Sequence, residues 1–245
     1  MTMARPQLLL TGIAEGLGAD IAETFAKAGH DVIGLSRSTR ASEHVTRRVE
    51  AAGGKFLHLA CDITRTAELS AAIKPYAERI DVLVHNPQLL TIKPFEQTTI
   101  DEFEQTWRVT CLGAVIAAQA VIPHMAARRH GMIILSGATA GLRGGASFSA
   151  FASAKFALRG LAQSLAREYG PKGVHVAHVV LDGLIDEPQT DQRFGSQATR
   201  SQDSKSQNSA RMDPHAIARA YLDLSTQPPS AWTQEMDLRP FSERF

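Results

Sequence analysis

Short apolar runs recur along this chain, each followed by a stretch with helical spacing, and that alternation leaves few folds open. Gln7 to Leu10, Asp31 to Leu35, Lys55 to Ala60, Val82 to His85, Met132 to Leu135 and Val174 to Leu181 read as strands. Helical patterns fill the gaps at Gly16 to Ala28, Ser42 to Ala52, Thr66 to Glu78, Thr99 to about Arg129, and Ser149 to Glu168. A strand, a helix and a parallel strand join by a right-handed crossover, so such units in series build one doubly wound sheet with helices on both faces. The expectation is an α/β fold of three layers, with Trp232 to Leu238 adding an edge strand. Thr99, with Glu102 three residues on, reads as a capping box. Asp213-Pro214 reads as an N-cap followed by proline at the first helical position, opening a helix that ends near Thr226.

No domain boundary shows before about residue 185, and residues 1–245 are expected to form one domain. Composition then shifts. Gln189 to Arg211 is almost wholly polar and lacks the apolar surface needed to order itself, so about 187–211 is expected to be mobile, as a flap over a site or as a plain insertion. Elsewhere basic and acidic residues nearly balance, giving a formal net charge of +1, which speaks against a nucleic-acid footprint or a membrane-surface helix. Leu8-Leu9-Leu10 is too short for a signal-peptide core, no segment reads as a bilayer span, and a cytoplasmic protein is expected. Cys61 and Cys111 lack metal-ligand spacing and read as buried thiols, so no metal is expected.

Two stretches carry the chemistry. After the first strand comes Thr11-Gly12-Ile13-Ala14-Glu15-Gly16-Leu17-Gly18, opening directly onto a helix. Gly12 permits the tight turn, Gly16 lets backbone approach a pyrophosphate, Gly18 lets helix and strand pack closely, and the helix N-terminus at Leu17 offers N–H groups to phosphates. The second stretch is the fifth strand, a glycine-rich bridge with Gly137, Gly141, Gly144 and Gly145, and a helix whose apolar stripe of Phe151, Ala154, Leu158, Leu161 and Leu165 contains Lys155. That lysine either snorkels to water or is a cation held at the C-terminal edge of the sheet, where open α/β folds bind ligands.

The TGxxxGxG spacing, Asp62 after the third strand, Asn86 after the fourth and Lys155 after the fifth together resemble the short-chain dehydrogenase/reductase family over nearly the whole chain. The resemblance implies a seven-stranded, mostly parallel Rossmann-type sheet and use of NAD(H) or NADP(H). It implies that Asp62 with Ile63 contacts the adenine, that Asn86 and Pro87 lie along the adenosine, and that Lys155 meets the nicotinamide ribose. Asp182-Gly183 stands where the family has Pro-Gly after the sixth strand, and Ile185 follows it on the cofactor side. Ser36-Arg37 at the end of the second strand leans towards NADP, since arginine accommodates a 2′-phosphate; Glu15, in the loop where NADP users often carry a basic residue, leans the other way. Resemblance also implies a homodimer or homotetramer.

The family's acid/base machinery is incomplete here. Its tyrosine position is Phe151, its serine position Ala138 and its asparagine position, aligned through Trp107 and Gly113, Thr110; only Lys155 is kept. Phenylalanine fills a tyrosine's volume but can neither give nor take a proton, and a positioned acid/base is worth about 10²–10⁴ in rate. The chain is similar to a subgroup with phenylalanine at that position, whose ending Ser230 to Phe241 resembles. Replacement donors are Ser147, Ser149, Thr139, Asp182 and His85; His85 is the best acid by chemistry, or else it bonds neighbouring backbone. His175 and His178 read as packing residues. Three functions stand: an NAD(P)-dependent oxidoreductase with a degenerate tetrad acting on a small molecule, a cofactor-binding sensor or oligomer partner without turnover, and a non-redox enzyme reusing the pocket. The third suffers from the missing serine and tyrosine.

Overall fold

The computed structural model describes residues 5–194 and 211–241. In chain order the elements are β1 (Gln7–Thr11), α1 (Leu17–Lys27), β2 (Asp31–Ser36), α2 (Ser42–Ala51), β3 (Phe56–Ala60), α3 (Thr66–Ile73), β4 (Ile80–His85), α4 (Ile100–Trp107), α5 (Gly113–Ala127), β5 (Gly131–Ser136), α6 (Ser149–Tyr169), β6 (Val174–Leu181), α7 (Pro188–Phe194), α8 (Pro214–Ser225) and β7 (Glu235–Leu238). The strands form one sheet in the order β3-β2-β1-β4-β5-β6-β7. Every pairing is parallel, including β7 on β6, so the sheet is all-parallel and not merely mostly so. Order reverses between β1 and β4, which places a crevice above their C-terminal ends.

Alternation along each strand feeds two cores. Leu8, Leu10, Val82, Val84 and Ile134 pack under α1, α2 and α8 with Phe25 and Tyr221. Leu9, Leu83, Ile133 and Leu135 pack on the opposite face with Leu69, Val121, Met125 and Leu158 from α3, α5 and α6. Thr99 and Glu102 form the expected reciprocal cap of α4, and the Asp213 carboxylate accepts from the His215 N–H at 2.9 Å at the start of α8.

Several boundaries differ from expectation for local reasons. The helix expected from Thr66 to Glu78 stops at Ile73, because Pro75 removes a backbone donor and clashes with the preceding turn. The helix expected from Thr99 to Arg129 is interrupted by a π-helical turn at Arg108–Leu112, which carries Thr110. Ile100–Ala127 is nevertheless continuous helix, 28 residues long, and by length and composition it could cross a membrane, contrary to expectation. Its apolar side chains, Ile116, Val121, Ile122 and Met125 among them, are spent on the sheet. Of the stretch expected to be mobile, Pro188–Phe194 is helix and Arg211 is buried against Asp186 at 3.4 Å; residues 195–210 lie outside the described residues. Pro188 at the first turn starts that helix despite its polar composition.

Candidate active site

Loops at the C-terminal ends of the strands enclose a cavity of about 1300 Å³. Gly12, Leu17 and Gly18 line it from the first turn, Ser36 and Arg37 from the second strand, Asp62 and Ile63 from the third, and Asn86 and Pro87 from the fourth. Ala138 and Phe151 form part of its other end with Asp182, Gly183 and Ile185. Sequence-distant residues thus meet where the switch in strand order opens the sheet.

The glycine turn is sterically closed to other residues. Gly12 has φ +83°, and a Cβ there would lie 2.7 Å from the Pro87 nitrogen. Gly16 has φ +96° and caps α1. Both sit in the left-handed region that only glycine enters cheaply. Asp62 accepts from the Thr64 N–H at 2.9 Å and from its hydroxyl at 2.8 Å. The backbone bond, followed by burial acting the other way, leaves this carboxyl below its usual range. Ser36 Oγ donates to the Ser38 carbonyl at 2.9 Å and lies 2.9 Å from His58 Nε2. Thr11, Glu15 and Gly16 are not among the residues lining the cavity, and Glu15 is exposed.

Lys155 does not snorkel. It is 1% exposed, its ammonium donates to the Ser136 carbonyl at 2.8 Å, and burial draws its pKa down to about 7. Neither Lys155 nor Thr110 is among the residues lining the cavity. Lys155 stands behind the wall made by Ser136 and Phe151, 5.6 Å from the Phe151 ring centroid. Thr110 is fully buried, and its hydroxyl finds no partner among the described residues.

His85 takes the backbone-bonding role and not the acid's. Its Nε2 lies 3.2 Å from the Thr110 carbonyl oxygen and its Nδ1 3.0 Å from the Thr11 hydroxyl. A carbonyl only accepts, so Nε2 carries the proton and Nδ1 accepts from Thr11. Complete burial, with the Lys155 charge adding to it, lowers the His85 pKa to about 3. His175 stacks on Trp232 at 4.8 Å, and His178 Nδ1 meets Glu235 at 3.0 Å, so both are packing residues. Asp182 is buried with Thr139 donating to its Oδ1 and Arg239 3.2 Å from its Oδ2. Ser149 is held beneath the surface with its hydroxyl unpartnered among the described residues, and Ser147 has φ +67° on the bridge.

The residue pattern of short chain dehydrogenases matches residues 7–196. The chain belongs to the short-chain dehydrogenase family. This is a family of NAD(P)-dependent oxidoreductases, and the relatives bear on its fold and chemistry. L-2,3-butanediol dehydrogenase of Corynebacterium glutamicum is 31% identical over 188 residues, covering 72% of this chain and 70% of that one. A short-chain dehydrogenase from Rhodopseudomonas palustris is 33% identical in its crystal structure, with a TM-score of 0.80 over 96% of this chain and 99% of the other. A metagenomic short-chain oxidoreductase solved in complex with NADP shares the fold at a TM-score of 0.81, with 24% identity over 98% and 99% of the two chains.

Five contributors to this short-chain dehydrogenase's cavity were hidden in the polar stretch: Glu187, Gln189, Thr190, Gln192 and Arg193. Their one local signal is Pro188, which marks a helix start immediately after Glu187. Arg239, the partner of Asp182, carries no signal in its own neighbourhood.

Proposed function

We propose that this short-chain dehydrogenase binds NAD(P) in the cavity and acts as an oxidoreductase on a small molecule whose conversion needs no proton from a protein hydroxyl. The carrying observation is the single cavity that runs from the glycine turn to Ala138 and Phe151. The residues fit a dinucleotide at the end built by Gly12, Leu17, Gly18, Asp62 and Asn86: the positive-φ turn presents backbone where a Cβ would collide, and an α1 N–H faces a carboxylate in the way it would face a phosphate oxygen. NAD(P) supplies the hydride-carrying ring when bound. Leu17 and its neighbours would seat the phosphates, and Asn86 with Pro87 would lie along the adenosine. At the far end Phe151, Ala140 and Ala152 form a buried apolar cluster with Leu90, Ala138 and Phe148 against it, and that cluster would exclude water from the reacting end.

NADP is the proposed form. Arg37 lines the cavity beside Ser36, where a cation meets a 2′-phosphate, and the competing residue Glu15 is exposed and not among the lining residues. Ala138 and Phe151, read as the serine and tyrosine positions of the family, support a degenerate tetrad and a likeness to the phenylalanine subgroup. Suitable substrates are activated double bonds or cations, which accept hydride without a strong acid. Exposed Phe95 and Ile100 (71% and 81%), with Trp107 and Phe156, form apolar surface near and on α4 and α6, and support a homodimer or homotetramer. Two free cysteines, both buried, support a reducing, cytoplasmic setting.

A second reading is a cofactor-binding sensor or oligomer partner without turnover. Lys155 and Thr110 favour it, since both lie outside the cavity lining. Calorimetric titration with NADPH and NADH, followed by a panel of enones, iminium ions and carbonyls with the bound reductant, separates the two. Nucleotide oxidation with an enone or iminium ion supports the proposed oxidoreductase, oxidation with simple carbonyls contradicts its substrate class, and binding with no oxidation across the panel supports the sensor.

A further inference from the structure

Glu187 sits in the seat that the glycine turn builds. Its Oε2 accepts the Leu17 N–H at 3.1 Å, at the first residue of the 11-residue helix α1. The side chain lies flat on Gly16: a Cβ on that glycine would be 2.5 Å from Glu187 Oε2 and 2.7 Å from Glu187 Cβ. The close approach that only glycine allows is therefore used by a side chain of the same protein. A second tether holds the segment in place, where Gln189 Nε2 donates to the Glu15 carbonyl at 2.8 Å. Glu187 immediately precedes α7 and Gln189 lies in its first turn, and this segment is anchored at its root by the Asp186 N–H donating to the Met212 carbonyl at 2.9 Å.

A free helix N-terminus attracts an anion through its unpaired N–H groups and its dipole. Here one carboxylate meets that demand, half-withdrawn from water, which raises its pKa; the Leu17 bond works against that shift and nearby Asp20 adds to it. A pyrophosphate carries two negative charges and competes for the same N–H. Carboxylate and phosphate cannot share it: they overlap in space, and like charges a few ångströms apart repel strongly at low dielectric.

We propose that Glu187 is an internal ligand of the phosphate-binding turn, which a dinucleotide must displace, carrying the start of α7 away from Gly16 as it binds. The inference rests on the dinucleotide reading above. Glu187 then sets the affinity for every pyrophosphate-containing nucleotide alike, because the contact it blocks is common to NAD and NADP. Energy that wild-type spends on expelling its own carboxylate is recovered when the charge is removed.

The test compares wild-type protein with Glu187→Gln, which keeps size and drops charge, and Glu187→Ala, which removes the side chain. Thermal unfolding followed by circular dichroism establishes that each is folded. NADH and NADPH are then titrated into each by calorimetry and nucleotide fluorescence. Both variants are expected to bind both nucleotides about tenfold tighter than wild-type, as fits an anion displaced from a helix terminus. Equal or weaker binding in both variants, with wild-type binding measurable, overturns the gate and leaves the dinucleotide reading standing. Silence in all three proteins overturns the dinucleotide reading and the gate together.

Discussion

The Lys155 ammonium donates to the Ser136 carbonyl at 2.8 Å, and this bond ties a buried lysine to the wall behind the cavity. A lysine so placed is not held to lower the pKa of a neighbour, for Phe151 has none to lower. Its own proton is the labile one. Burial lowers its pKa from 10.5 to about 7, so between those values the unfolded chain holds a proton that the folded chain has released. Stability therefore rises with pH across that window, by about 1.4 kcal/mol per unit. Lys155→Met should raise stability at pH 7 by on the order of 3 kcal/mol, with the gain fading by pH 10, as read by urea denaturation at both pH values.

His85 acts in the same direction, in a more acid window. Its pKa falls from 6.5 to about 3 on burial, so between those values the unfolded chain takes up a proton that the folded one refuses. Stability is lost as pH falls through that range, at about 1.4 kcal/mol per unit. His85→Gln can still donate to the Thr110 carbonyl and accept from Thr11. Denaturation midpoints for the variant should be flatter than wild-type between pH 6.5 and 4, and an unchanged slope would mean that other groups dominate acid unfolding.

Adding hydroxyls at Phe151 and Ala138 tests the proposed degenerate tetrad. Phe151 and Ala138 both line the cavity, so Phe151→Tyr with Ala138→Ser places two polar groups at its apolar end. Carbonyl reduction with NADPH is expected to rise by about 10²-fold or more over wild-type. An active wild-type carbonyl reductase would contradict the proposal.

Gly12 tests the turn. With φ at +83° and the Pro87 nitrogen 2.7 Å from any added Cβ, Gly12→Ala should cost about 1–3 kcal/mol of stability and weaken NADPH binding. Both effects are read from thermal shift with and without nucleotide; a neutral substitution would mean that the turn is not rigid.

How much of this was legible in the sequence depends on how far apart the interacting residues are. Thr99 and Glu102 close their capping box within one turn, as read, and the glycine spacing after β1 is equally local and forms a tight positive-φ turn. The strand register follows from alternation, so Leu8 and Leu9 could be assigned to opposite faces. Pro75 was a visible stop that a helical pattern across it concealed. Lys155 could be placed in an apolar stripe, but whether its head reached water depended on how α6 packs on β5 and Ser136. Glu187 was illegible: it meets Leu17 from 170 residues away, and it sits at the edge of a composition that reads as disordered.

The central claim is that the cavity is a dinucleotide site, and direct titration of NADPH, NADH, NADP⁺ and NAD⁺ into the purified protein tests it most directly. Saturable binding at one nucleotide per chain, tighter for the NADP pair, is the predicted result. No heat and no fluorescence change with any of the four, in wild-type and in Glu187→Gln alike, would mean that the sheet and its glycine turn serve another purpose.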